Sequence, residues 1–231
     1  QERFVGGAGA FHGGAGELDV QRVPEPNPLA LAFVESAAQA GHARNDDFNG
    51  ASQDGFGLFH VNQRAGTRLS SSRALLHPVL GRPNLVVITD ALVERLRLRG
   101  RRVVGVTLRQ RGQRRELEAG AEVVLSAGTV NSAQLLLLSG IGPAEALAPH
   151  GIELRHALPG VGRNLQDHPS VPLVRSDPSA TSYALSWRAA PSVALAPWKY
   201  LFARRGMLAS NAAEAPADAA AISAARPKKA R

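Results

Sequence analysis

Apolar residues recur along this chain in three different rhythms. The first is continuous: Val86-Val87-Ile88 and Val123-Val124-Leu125 are apolar at every position. Both faces of such a segment need cover, so residues 86–89 and 123–125 are predicted as buried strands of one parallel sheet. The second rhythm alternates between residues 91 and 119. Leu92, Leu96 and Leu98 face one way and Arg95, Arg97 and Arg99 the other. Gly100 turns the chain, Val104, Val106 and Leu108 form a second inward row, and Gly112 turns it again. That spacing predicts an antiparallel meander with one solvated face.

The third rhythm is helical. Asn27 and Pro28 carry N-cap and first-turn signals; Ala30, Phe33, Val34, Ala37 and Ala38 share a face, and Gly41 closes the segment. Residues 70–76 and 143–150 read as short helices. Residues 186–204 read as a helix interrupted at Pro191 and Pro197. A further helix follows the 123–125 strand. Gly128 marks a turn, Thr129 to Ser132 offer capping oxygens, and a Leu-rich run stops at Gly140, Gly142 and Pro143. The fold class is mixed α/β. A strand, a glycine and a helix start in succession can present free N–H groups to a ligand, and can equally be packing alone.

Two glycine-rich or acidic stretches invite specific chemistry and fail the tests for it. Residues 6–16 have no preceding strand, no following helix, and His12 where a phosphate loop needs its last glycine. They read as a surface loop before a short strand at residues 17–20. Asp46-Asp47-Phe48-Asn49-Gly50 lacks the EF-hand spacing and terminal Glu. His60 falls in an edge strand, residues 55–61, with no partner at metal-ligand spacing, and reads as a half-exposed strand residue.

Composition narrows the picture little. The chain has 231 residues, 44% of them hydrophobic, enough to bury a core. It has no cysteine, which removes disulfides and thiolate metal sites. No apolar run is long enough to span a bilayer, and Gln1-Glu2-Arg3-Phe4 shows no secretory pattern, so a cytoplasmic location is expected. The missing initial methionine suggests a partial chain. The net charge of +8 comes almost wholly from arginine. A basic nucleic-acid-binding module is one reading of that charge; arginines on the solvated meander face, without interleaved aromatics for stacking, favour plain solvation.

The wording of two stretches is more specific. Gly128-Thr129, Ser132, Leu135-Leu136 and Ser139-Gly140-Ile141-Gly142 resemble the second signature of the glucose-methanol-choline (GMC) oxidoreductases. Ala133 stands where that family usually has proline. Pro159-Gly160-Val161-Gly162-Arg163-Asn164-Leu165-Gln166-Asp167-His168 resembles a second run of the same family. The Asp47-Phe48-Asn49-Gly50 turn, Gly66-Thr67-Arg68-Leu69-Ser70 with Ala74 and Leu76, and Gly206 through Ala215 add weaker matches. The resemblance runs from residue 2 to about 215.

It implies an FAD-dependent oxidoreductase acting on small-molecule alcohols, choline-dehydrogenase-like. Residues 1–169 would be part of the FAD-binding domain: a parallel sheet with the β-meander attached. Residues 170–215 would begin the substrate-binding domain, and residues 216–231 form a disordered or frayed basic tail. Val93 falls where a family valine contacts the FAD adenine through its backbone. Gly128 lies beside the cofactor, and Asn164, Gln166, Asp167 and His168 lie near the flavin ring. His168 is not the expected base, because the family's catalytic His lies nearer the C-terminus. That His and the opening pyrophosphate loop have no counterpart here, which implies a chain inactive on its own. A non-catalytic remnant of such an enzyme is the alternative. Neither the alcohol, the electron acceptor nor the oligomeric state is legible.

Overall fold

The computed structural model describes residues 2–167, 187, 189–210 and 215. The chain falls into two compact units, one from residues 1–85 and 174–231, the other from residues 86–173. The tail at 216–231 and His168 lie outside the described residues.

In the first unit, β1 (Glu2–Phe4) pairs in parallel with β2 (Leu18–Arg22), and β2 pairs antiparallel with β3 (His60–Val61). The residue 6–16 loop connects β1 to β2. Helix α1 (Pro28–Gln39) starts where the sequence places it: Asn27 Oδ1 accepts the Leu29 N–H at 2.9 Å. A tight hairpin joins β4 (Gln63–Arg64) to β5 (Thr67–Arg68). Its two turn residues, Ala65 and Gly66, both have positive φ, the geometry that matches strand twist. Asp19 ties these strands together. Its buried carboxylate accepts from Arg3 Nε and Arg64 Nε, each at 2.6 Å. The Arg64 hydrogen bond, reinforced by Arg3, holds that carboxyl below its ordinary pKa.

The second unit is built on the meander β6 (Ala91–Arg99), β7 (Arg102–Gln110) and β8 (Gln113–Glu118), antiparallel throughout. Two register shifts alter the expected inward rows. Val93 pairs with Leu108 and Arg95 with Thr107, so Glu94 is an extra residue and the inward position passes from Leu92 to Val93. Leu92 is 67% exposed, whereas Leu96 is 5% exposed. A second shift, between Arg97 and Leu98, gives Val103 the place expected for Val104. The arginines of the solvated face meet glutamates across the strands: Arg97 with Glu116 at 3.1 Å, Arg109 with Glu94 at 2.8 Å.

Helix α2 (Thr129–Leu138) packs against β6. Leu96, Leu135 and Ile141 form the buried centre, with Leu98, Val103, Val106, Val123, Leu125 and Leu136 around it. After α2 come β9 (Ile141–Gly142), α3 (Ala144–Leu147) and β10 (His156–Ala157). Back in the first unit, α4 (Ala190–Ala203) runs through both prolines without a break. Pro191 sits at the helix start, where no intrahelical N–H bond is lost, and Pro197 is absorbed within the helix.

The expectation of two buried parallel strands is not met. Residues 86–89 and 123–125 are assigned to no strand. Val86 is 79% exposed; Val124 is 73% exposed while Val123 and Leu125 turn into the core. A parallel strand buries both faces only when neighbouring strands and covering helices flank it. Among the described residues, neither run is paired with a strand.

Candidate functional site

Gly128 precedes α2 with φ 86° and ψ 172°, a region open in practice only to glycine. A Cβ placed there would meet nothing within 4 Å. The turn that the sequence marks at Gly128 rests, within this chain, on the backbone angle and not on crowding. The capping oxygens are also used differently. Among the described residues, no side chain caps the start of α2. Ser132 Oγ instead accepts the Ala127 N–H at 3.1 Å, bracing the turn that leads into the helix. The first-turn N–H groups of α2 thus lie at an exposed, uncapped helix start, where the helix dipole favours negative charge.

The other end of α2 is locked. Ser139 Oγ accepts the Leu96 N–H at 2.8 Å and donates to the Leu135 carbonyl at 2.6 Å, so the helix is pinned to β6 by a buried hydroxyl. Ile141 and Gly142 then pair in parallel with His156 and Ala157. The Leu158 N–H donates to the Gly142 carbonyl at 3.1 Å. The Leu137 side chain lies beneath both glycine turns. A Cβ at Gly142 would stand 2.5 Å from Leu137 Cδ2, and one at Gly162 would stand 3.5 Å from Cδ1. The two motifs, fifteen or more residues apart in sequence, are therefore adjacent in space.

The remaining sequence-derived candidates divide. Asn164, Gln166 and Asp167 lie on the exposed loop that leaves Gly162, and Asn164 takes a left-handed φ of 57°. Val93 sits on β6 at the bulge, partly exposed. His168 lies outside the described residues. A cavity of about 640 Å³ in this unit is lined by Arg95, Arg97, Ser139, Gly140 and Arg155 among others. It adjoins the C-terminal end of α2, roughly 15 Å along the helix from Gly128, and so belongs to a different place from the exposed helix start. The residues at that start fit the edge of a phosphate-bearing cofactor: an uncapped N-terminus, a glycine-only turn with open space beside it, and the exposed apolar Val130.

A second constellation, in the first unit, went unread in the sequence. His12, from the residue 6–16 loop, places Nε2 2.7 Å from Asp47 Oδ2 and Nδ1 3.1 Å from Glu2 Oε1. His60 Nδ1 lies 3.7 Å from Asp47 Oδ1. The His60 side chain is 4% exposed, so it is buried and not half-exposed, and its Nε2 has no partner among the described residues. Hydrogen bonds to Asp47 and Glu2 raise the His12 pKa, while burial lowers that of His60. The His12 contacts hold the carboxyls of Asp47 and Glu2 below their ordinary values. Phe4 stacks on His12 at 4.2 Å and tilts against His60 at 4.8 Å. The sequence separations are 35 and 13 residues, which no local motif spans; the pairing of β2 with β1 and β3 and the Arg44–Phe56 bridge bring them together.

Comparison with known proteins identifies the family. A family profile described as "GMC oxidoreductase" matches residues 7–170. An "Alcohol dehydrogenase [acceptor]" of Pseudomonas putida is 42% identical over 206 residues, covering 88% of this chain and 37% of the relative. An "Oxygen-dependent choline dehydrogenase" of Staphylococcus haemolyticus is 41% identical over 203 residues, covering 87% and 35%. The chain thus spans little more than a third of these relatives. Among solved structures, pyridoxine 4-oxidase from Mesorbium loti superposes with a TM-score of 0.67 at 36% identity, over 72% of this chain and 33% of that one. An Aspergillus oryzae formate oxidase, described with its FAD, superposes with a TM-score of 0.71 at 25% identity, over 93% and 39%. No helix among the described residues is long and apolar enough to cross a membrane. With two motifs held side by side and a profile match across most of its length, the chain belongs to the GMC oxidoreductase family.

Proposed function

We propose that this chain supplies part of the cofactor wall of an FAD-dependent oxidoreductase acting on CH–OH groups, choline-dehydrogenase-like in its substrate class. The observation that carries the reading is the juxtaposition beneath α2: Leu137 under both glycine turns, and an uncapped helix start after Gly128. The Gly128 backbone and the first-turn N–H groups of α2 would receive the cofactor's anionic linker. Val93 would contribute its backbone, and the loop of Asn164, Gln166, Asp167 and His168 would flank the ring. When bound, FAD would supply the two-electron oxidation of the alcohol carbon.

In this reading residues 1–169 belong to the cofactor domain and residues 170–215 begin the substrate domain. The same reading gives no proton acceptor for the alcohol hydroxyl within the chain, so the chain by itself is expected to be inactive. The paired meander arginines support this assignment over a nucleic-acid-binding module, since Arg97 and Arg109 already hold glutamates.

The test is FAD titration of the 231-residue chain by quenching of flavin fluorescence, alongside dye-linked turnover with choline and simple alcohols. Saturable FAD binding that Gly128→Val weakens, with no turnover above background, is the expected result. Saturable FAD binding unaffected by Gly128→Val would remove the assigned cofactor contact. Turnover comparable to a full-length relative would contradict the inactivity.

A further inference from the structure

We propose that His12, Asp47 and His60 form a binding site for a divalent transition-metal ion of the zinc class. The three side chains come from three separate segments: the residue 6–16 loop, the turn after α1, and β3. Each can offer one ligand atom, and these atoms lie within 4.8 Å of one another. Two imidazoles and one carboxylate form a donor set suited to zinc, cobalt or nickel, and poorly suited to calcium or magnesium, which prefer oxygen alone.

Three details separate this cluster from a chance meeting of polar side chains. First, the outer nitrogen of His12 is held by Glu2 at 3.1 Å. A ligating histidine commonly has its second nitrogen fixed by a carboxylate in this way, which sets the tautomer and orients the ring. Second, His60 is a buried imidazole whose Nδ1 already faces Asp47, 3.7 Å from Oδ1, and whose Nε2 has no hydrogen-bond partner among the described residues. Leaving such an atom unsatisfied is costly. A half-turn about χ2 carries Nε2 into the position of Cε1 and Nδ1 into that of Cδ2 within the same envelope. Third, Phe4 packs on both rings and walls the cluster on one side.

The dimensions require one pair to part and the widest, up to 4.8 Å, to close by about 1.5 Å. Tetrahedral ligands at about 2.0–2.1 Å from a zinc ion stand roughly 3.3 Å apart. His12 Nε2 and Asp47 Oδ2, now 2.7 Å apart, would open by about half an ångström. The proton between them leaves as the ion enters, because a ligating imidazole nitrogen must present its lone pair. Three protein ligands leave a fourth position open. An ion here would pin the glycine-rich loop to the edge of β3, and the site is independent of the proposed cofactor contacts.

The experiment is a Co²⁺ titration of the chelator-treated 231-residue chain, followed by visible ligand-field absorption and by calorimetry. One ion per chain is expected, displaced by Zn²⁺ and not by excess Mg²⁺. Asp47→Asn and His60→Gln should each abolish stoichiometric binding. Glu2→Gln, which alters the contact to the outer nitrogen of His12 and keeps an oxygen to accept the Gly13 N–H, should weaken it by about 10- to 100-fold. Far-UV circular dichroism reports whether each variant stays folded. Because Asp47 also accepts the Asn49 N–H at 3.0 Å, the unsubstituted chain carries a separate readout. Substoichiometric Ni²⁺ should broaden the imidazole signals of His12 and His60 before those of His42, His77, His150 and His156. No stoichiometric binding, binding that survives both substitutions in folded protein, or first broadening at the other histidines would overturn the proposal.

Discussion

The two proposed sites of this molecule are built in opposite ways. In the second unit, the proposed site around Gly128 is a matter of backbone: a glycine-only turn and an uncapped helix start, with Gly142 and Gly162 packed on Leu137 at the far end of the same helix. In the first unit, the proposed site around Asp47 is a matter of side chains: two imidazoles and two carboxylates drawn from four segments, with His12 hydrogen-bonded to both carboxylates and His60 3.7 Å from Asp47. A backbone site keeps a fixed order of residues, so it announces itself as wording in the sequence. A side-chain site depends only on where the strands bring its members, and leaves no such trace. The contrast also sets what each site tolerates. The backbone site should respond to changes of φ and to loss of the helix anchor, the side-chain site to loss of a single charged or ligating atom.

The largest expected effect concerns activity. If the chemistry needs a proton acceptor that the backbone site does not contain, dye-linked alcohol oxidation by this chain should be lower than that of a complete relative by at least the roughly 10²–10⁴-fold contributed by a positioned base. Measured turnover in excess FAD checks this, and near-full turnover would break the account of the second unit.

Next is the anchor of α2. Leu135 is buried with Leu96 and Ile141, so Leu135→Ala should lower unfolding free energy by about 2–5 kcal/mol. Leu165→Ala, on the exposed loop, should change it by less than about 0.5 kcal/mol. Denaturant melts of the two variants give the comparison; equal losses would mean that the described core is not the one that holds the site.

In the first unit the counterpart is Asp19, whose buried carboxylate holds Arg3 and Arg64. Asp19→Asn keeps the shape and removes the charge. It should cost about 2 kcal/mol near neutral pH, less than complete loss of a fully buried pair because both arginines are half exposed. The folded-state pKa of Asp19 is depressed. Its stabilisation is therefore present above the unfolded-state value and is lost as pH falls through the folded-state value. Melts from neutral to acid pH should show the wild-type chain and Asp19→Asn converging at the acid end. Divergence there would place the stabilisation elsewhere.

How much of this was legible in the sequence follows the same division. The meander was readable because hairpin-linked strands carry their partners within a few residues. Even there, the bulge at Glu94 moved the inward row from Leu92 to Val93, and alternation alone gives no sign of an inserted residue. Helix α1 was readable because Asn27 and Pro28 act locally. The 86–89 and 123–125 runs were misread as buried strands of a sheet, because apolarity states what a segment would bury and not whether a neighbour is present to bury it. His60 was misread because its partners are set by the β2–β3 pairing and not by spacing. The turn at Gly128 was legible from the glycine itself, and the structure gives it a φ of 86° with open space beside it.

The central claim, that the backbone at Gly128 is a cofactor contact, is tested most directly by FAD occupancy per folded molecule. The comparison is between Gly128→Val and Leu135→Ala, in the chain joined to the N- and C-terminal segments of a GMC relative so that binding is measured in a complete cofactor domain. A β-branched residue at this backbone geometry should itself cost about 1–3 kcal/mol of stability. Occupancy is therefore read only on protein that remains folded by circular dichroism. The account predicts that folded Gly128→Val has lost most of its FAD, whereas folded Leu135→Ala, though less stable, retains it. Full occupancy in Gly128→Val together with loss in Leu135→Ala would contradict it, and would leave the turn before α2 as a packing element only.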